Sequence, residues 1–225
     1  MRLRGFLCIV AGIAVILLIW GVSISPSNIH DIVRQIILGI PQKVAHPTTA
    51  PKPAIKCNLS RRCPPDHFAF HIISGAADVV GPNICFEGKI IMSNLLNNVG
   101  LGLNMVLVNG ENGVIEKFDY LNMKDGNPKD ILAYLKAIKP GTIVLVASFD
   151  DVTPKMTNEM REIFVGLGSS LIKSVKRRDT WVFAGGGGTS KNSPFEKQAV
   201  SDEKTNIYGA WPEMVEVAGC FPRKS

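Results

Sequence analysis

The sequence predicts a compact α+β domain, mostly antiparallel β-sheet packed with short helices. Three observations predict it. Apolar runs of strand length outnumber runs with helical periodicity. The pairs Asn109-Gly110 and Asn112-Gly113 separate two such runs, as tight hairpins require. Four cysteines, Cys57, Cys63, Cys85 and Cys220, bracket the stretch and can close as two disulfides.

The elements follow in chain order. His67 to Ile73 and Ile84 to Met92 each read as a strand. Leu103 to Val108 and Val114 to Tyr120 read as the arms of the hairpin. Asn127 can cap a helix whose first position is Pro128, where the missing N–H costs nothing. Ile131, Leu132, Leu135 and Ile138 give that helix its apolar face, and Pro140-Gly141 stops it. Thr142 to Phe149 is a continuous β-branched and apolar run, which suits a central strand buried on both faces. Met156, Met160, Ile163, Phe164 and Leu167 form the stripe of a second helix, ended near Gly166 and Gly168. Leu171, Ile172 and Val175 extend the helical spacing by another turn or two. Thr180 to Ala184 is a strand entering Gly185-Gly186-Gly187-Gly188, and Met214 to Val217 is a last short strand before Cys220.

Ahead of the domain, Phe6 to Ile24 is an uncharged segment of 19 residues preceded by Arg2 and Arg4. Signal-peptide cores run about 7–15 residues and membrane spans about 17–25, so both readings stay open. Residues 1–25 are a signal peptide, with small residues Gly21-Val22-Ser23 before a cleavage point, or a type II anchor with Trp20 at the interface. Either places the rest of the chain in the lumen or outside the cell, where disulfides persist. Cys8 falls within the segment, away from the domain. Residues 26–56 hold a short amphipathic stretch, Ser27 to Ile40, and a spacer with Pro41, Pro47, Pro51 and Pro53. Residues 57–222 form one domain of ordinary size.

The net charge is +6 and charged residues are 20% of the chain. The dense basic group is Lys173, Lys176, Arg177 and Arg178, which reads as a solvated helix end. No aromatics are interleaved with it, so no nucleic-acid partner is expected. The four-glycine run reads as a flexible surface connection. No Lys-Ser/Thr follows in register, so no nucleotide is expected either. His67 and His71 lack a third ligand at metal spacing and read as structural, so no metal or other cofactor is implied. Asp150-Asp151 ends the central strand, where it can cap the next turn or, with Asp125 and Asp130, hold a cation. A hydrolase reading needs a deep pocket of convergent carboxylates near Asp150 and Asp151. Asn58-Leu59-Ser60 is a glycosylation sequon beside Cys57. Trp211 and Tyr208 are candidates for stacking on sugars.

Several ordered runs carry a family resemblance. They include Cys57-x5-Cys63-Pro64, His67-Phe68-Ala69-Phe70, Val79-Val80-Gly81-Pro82, Ile84-Cys85-Phe86-Glu87 and Asn97-Asn98-Val99-Gly100. Further on are Phe149-Asp150-Asp151, Arg178-Asp179-x-Trp181-Val182-Phe183, Ser193-Pro194-Phe195-Glu196, Trp211-Pro212-Glu213 and Gly219-Cys220. The chain resembles the family of secreted cytokine-like proteins that includes PANDER and the interleukin-like EMT inducer. The resemblance implies a mixed β/α fold and the pairing Cys57–Cys85 with Cys63–Cys220, one of the three pairings four cysteines allow. It further implies a non-enzymatic, hormone-like secreted ligand acting on a cell-surface receptor in metabolic or epithelial regulation. The same domain type resembles modules of glycan-modifying proteins, which keeps a lectin-like, glycan-binding reading beside the first. The chain departs from the pattern at Leu101, at Leu121-Asn122-Met123-Lys124, and at Ala184, where the EMT inducer carries an additional cysteine.

Overall fold

A computed structural model of the chain describes residues 55–186 and 192–223. The leader, the amphipathic stretch and the spacer through residue 54 lie outside these residues, as does the second half of the glycine run. The described strands are β1 (His67–Ile73), β2 (Asn83–Phe86), β3 (Lys89–Met92), β4 (Gly102–Asn109) and β5 (Ile115–Asn122). The helix α1 (Pro128–Lys136) precedes β6 (Thr142–Phe149), and α2 (Asn158–Gly166) precedes β7 (Thr180–Gly186). The chain closes with β8 (Phe195–Ala199) and β9 (Glu216–Pro222). They form two antiparallel sheets, one in the order β3-β2-β1-β9 and one in the order β5-β4-β6-β7-β8.

The three layers follow from β6, every residue of which is buried. Ile143, Leu145 and Ala147 face the other sheet, where they meet Phe68, Phe70, Ile72, Ile84 and Met92. Val144 and Val146 face the opposite way, into a second core with Leu135, Met160, Phe164, Trp181 and Phe183. Strand alternation thus divides one apolar run between two cores. Phe164 meets the stacked pair Trp181 and Phe183 edge-on, a favoured aromatic geometry. Both helices begin as their sequences dictate. Asn127 accepts from the Lys129 N–H ahead of Pro128, and Thr157 accepts from the Met160 N–H.

The fold departs from the sequence reading at five places. The run Ile84 to Met92 is two strands, because Glu87 and Gly88 turn with φ of 51° and 84°. β8 went unforeseen: its five residues are partly exposed and show no apolar alternation. The last strand starts at Glu216 and runs to Pro222, beyond Gly219 and Cys220. Gly219 belongs there because a Cβ would lie 2.7 Å from the Phe195 ring. Gly185 and Gly186 are buried strand residues, not a flexible surface connection. A Cβ on Gly185 would lie 2.4 Å from the Leu167 carbonyl oxygen. Leu171 to Val175 forms turns in place of helix, and the Arg161 guanidinium donates to the Ile172 carbonyl and to that of Val175 (3.0 Å).

The two disulfides are Cys57–Cys85 and Cys63–Cys220, the pairing that the resemblance implies. Both attach the segment before β1 to the four-stranded sheet, the first at β2 and the second at β9. They close loops of 28 and 157 residues. In the chain-entropy account these limit the unfolded chain by roughly 3.6 and 5 kcal/mol. The paired substitution Cys63→Ser with Cys220→Ser is expected to cost more stability than Cys57→Ser with Cys85→Ser, by about 1.5 kcal/mol in urea unfolding. A reversed order would show that native strain outweighs the loop term.

Glu196 on β8 joins the helix layer to the five-stranded sheet. It accepts from Trp181 Nε1 (2.9 Å), the Ser170 N–H (2.7 Å), Ser170 Oγ (2.9 Å), the Leu171 N–H (3.0 Å) and the Ser169 hydroxyl. Removing this acceptor strands several donors at once. Glu196→Ala is expected to destabilise the fold by roughly 3 kcal/mol by chemical denaturation, and Glu196→Gln by less.

Candidate functional site

An open hollow of about 290 Å³ lies where several elements end together, lined by Asp78, Lys124, Asp150, Asp151, Arg177, Arg178 and Trp211 among others. Each side chain is delivered by a local structural reason. Asp78 sits in the loop after β1, which the Gly75 N–H ties to the Ser148 carbonyl at 2.8 Å. Gly75 is required there, since a Cβ would come within 2.6 Å of the Phe149 ring. Lys124 stands in the turn after β5, whose N–H groups at Lys124 and Asp125 donate to Asn122 Oδ1 at 3.0 and 2.9 Å. Asp150 follows β6 directly and donates its backbone N–H to the Ala77 carbonyl at 3.0 Å. Ala77, Asp150 and Arg178 all adopt left-handed backbone, with φ of 52°, 60° and 62°. Such conformations are costly for residues with a Cβ and persist where the surroundings hold them.

The turn that presents Arg177 and Arg178 is locked by Asp179, a buried carboxylate. It accepts from the Lys176 N–H (2.8 Å), Gln198 Nε2 (2.7 Å) and the Ser201 N–H (2.7 Å). Arg178 then stacks its guanidinium over Trp211, 4.5 Å from the ring centre. Trp211 Nε1 donates to Asp150 Oδ1 at 3.1 Å, so cation, aromatic ring and carboxylate form one connected group. Asp151 accepts from the Thr153 N–H (2.9 Å) and Thr153 Oγ1 (2.7 Å), the turn-capping role its position allowed. Arg177 Nε stands 4.0 Å from Asp151 Oδ2.

Partial burial pushes the Asp150 carboxyl above its ordinary range, and Asp78 and Asp151 add repulsion. The Trp211 hydrogen bond and Lys124 act in the opposite direction without cancelling the rise. Three carboxylates, three cations and an aromatic ring line one open hollow, a mixed surface that can hold a ligand rich in hydroxyls.

The sequence-derived candidates fall into separate places. Trp211 lines the hollow. Tyr208 is paired with it through reciprocal backbone bonds of 3.1 and 3.2 Å but does not line it. Asn58 is exposed and left-handed, with φ of 55°, in the turn beside the Cys57–Cys85 disulfide. His67 and His71 contact Asp66 (2.8 Å) and Glu216 (2.9 Å), and no group of three potential metal ligands occurs among the described residues. Asp125 and Asp130 do not line the hollow. Asp130 occupies the first turn of α1. Asp78 and the pairing of Arg178 with Trp211 escaped sequence reasoning. They meet only through long-range packing, and the closest local signal was the pair Arg177-Arg178 itself.

The family model described as Interleukin-like EMT inducer matches residues 101–189. Among curated proteins, Protein FAM3C of Xenopus tropicalis is 43% identical over 230 residues, covering 100% of this chain and 99% of its own length. Protein FAM3D of Mus musculus is 48% identical over 172 residues, 76% of this chain and 77% of its own. Protein FAM3A of Pongo abelii is 41% identical over 230 residues, with 100% and 99% covered.

The Asp150 shift has a definite consequence. Because its folded pKa is raised, the protonated form fits the fold, and the stability this confers is lost as pH rises through the folded value. Asp150→Asn keeps an acceptor for Trp211 and removes the charge. It is expected to raise the melting temperature at pH 7 relative to the parent, with the gain shrinking toward acid pH. Thermal unfolding across pH 4 to 8 checks this. A pH-independent difference would assign the effect of the substitution to packing.

Proposed function

The chain belongs to the FAM3 family of cytokine-like proteins, and from that premise we propose that it is a secreted, non-enzymatic ligand for a cell-surface receptor. One observation carries the reading: a sheet sandwich stapled to its own N-terminal segment by two long-range disulfides. Such staples form and persist in an oxidising compartment, which fits a leader of the kind at Phe6 to Ile24. Among the described residues no helix is long and apolar enough to cross a membrane. The carboxylates of the hollow support this reading over a hydrolase. Asp150 accepts from Trp211 Nε1 and Asp151 from the Thr153 N–H and hydroxyl, so both carboxylates are engaged in holding local structure. Occupancy of Asn58 by a glycan belongs to the same reading, since the side chain is exposed in the right compartment.

The Trp211 group favours a second reading, a glycan-binding module. An indole held by Asp150 and flanked by Arg178 and Lys124 offers the mixed apolar and hydrogen-bonding surface on which sugars stack. The two readings separate in one pair of experiments. As a receptor ligand, the purified chain is expected to bind responsive cells saturably, and enzymatic removal of cell-surface glycans leaves that binding intact. As a glycan binder, it is expected to register on a glycan array, and Trp211→Ala abolishes the signal while the fold persists. Non-saturable cell binding together with a blank array would overturn both.

A further inference from the structure

Among the described residues β5 is an edge of the five-stranded sheet with no strand beyond it, and its middle is exposed on both faces. β4 packs against β3 of the other sheet, and β5 makes no comparable contact with that sheet among the described residues. Phe118 and Tyr120, on the inner face opposite Val106 and Asn104, therefore remain 49% and 44% exposed. Natural sheets blunt such edges with charged side chains and bulges, and β5 carries both, which leaves only the short stretch around Phe118 to pair with another strand.

We propose that β5 is a homodimerisation edge, pairing antiparallel with β5 of a second copy of this chain around Phe118. The sequence Lys117-Phe118-Asp119 is its own complement under a two-fold axis. Centring the pair on Phe118 sets Lys117 of each copy opposite Asp119 of the other, giving two opposite-charge pairs and one aromatic pair. Ile115 then falls opposite Leu121. Centring on Lys117 or on Asp119 places like charges face to face, so charge selects the register.

The backbone is set for that register. Leu107 pairs with Lys117 but Val108 pairs with Ile115, so Glu116 is the extra residue of a bulge. The Tyr120 N–H donates to Asp119 Oδ1 at 2.9 Å, which places the even-numbered polar groups beyond the bulge on the open edge. The Phe118 N–H and carbonyl then face their counterparts in the second copy. Lys117 and Asp119 form the closely spaced positions that do not exchange backbone bonds, where side chains approach most. Lys117 is already held on the helix face, its Nζ 4.0 Å from the Tyr134 ring centre. The bulge keeps the ladder short, so the dimer is reversible. It is also non-covalent, because all four cysteines of the described residues are in internal disulfides.

The experiment uses the disulfide-bonded chain purified from producing eukaryotic cells, followed by sedimentation velocity over a wide concentration range. The parent is expected to dimerise reversibly. Lys117→Asp alone and Asp119→Lys alone each place two like-charge pairs across the axis, and each is expected to weaken self-association about tenfold or more. Mixing the two variants restores both pairs, so the mixture is expected to form a heterodimer as tight as the parent dimer. Recovery in the mixture also shows that neither variant failed to fold. A parent that stays monomeric to millimolar concentration overturns the proposal. So do single variants that dimerise like the parent, or a mixture that does not recover.

Discussion

The whole architecture depends on β6 having no solvent face. Eight consecutive buried residues, Thr142 to Phe149, require apolar cover on both sides. A two-layer sandwich supplies one side, and the helices must supply the other. The cover also settles what the neighbouring strands present. β4 shares the division, with Leu103, Met105 and Leu107 in the helix core and Val106 and Val108 in the inter-sheet core. β7 shares it too, placing Trp181 and Phe183 against the helices and Val182 and Ala184 between the sheets. Polar side chains gather most cheaply where this central group of strands ends, and the hollow forms at such an end.

How far this was legible follows from the range of the forces involved. β1, β4, β6 and both helices were readable because their signals are local: alternation, continuous burial, a capping residue ahead of a proline. β2 and β3 merged in the reading because Glu87, a residue that seldom adopts left-handed backbone, makes the turn alongside Gly88. β8 was invisible because its role is polar. Glu196 is there to satisfy donors on Trp181 and on the turn after α2, which no periodicity records. Of the hollow, Trp211 and Asp150-Asp151 stood out as residue types. Their connection did not, because Trp211 and Asp150 are 61 residues apart and meet through tertiary packing.

The departures from the family pattern fall on different levels of the fold. Leu121 and Met123 are buried in the helix core, so their replacement alters packing under α1. Asn122 and Lys124 alternate with them, one closing the turn and the other lining the hollow. One short run therefore combines a repacked core with a changed site, and the alternation of β5 separates the two effects residue by residue. Ala184 is fully buried between the sheets, paired with Leu145 and Phe195. A side chain there meets the core of its own molecule, so any surface through which this chain meets a partner lies elsewhere.

The disulfides and the open edge divide the molecule between them. Both bridges attach to the four-stranded sheet, at β2 and β9, and neither touches the five-stranded one. The small sheet needs them: β2 and β3 have four residues each, and β9 is brought back from the far end of the chain. The larger sheet is held by its two cores and by Glu196, without covalent help. It is therefore the part free to present an edge to other molecules, because its stability does not depend on closing that edge.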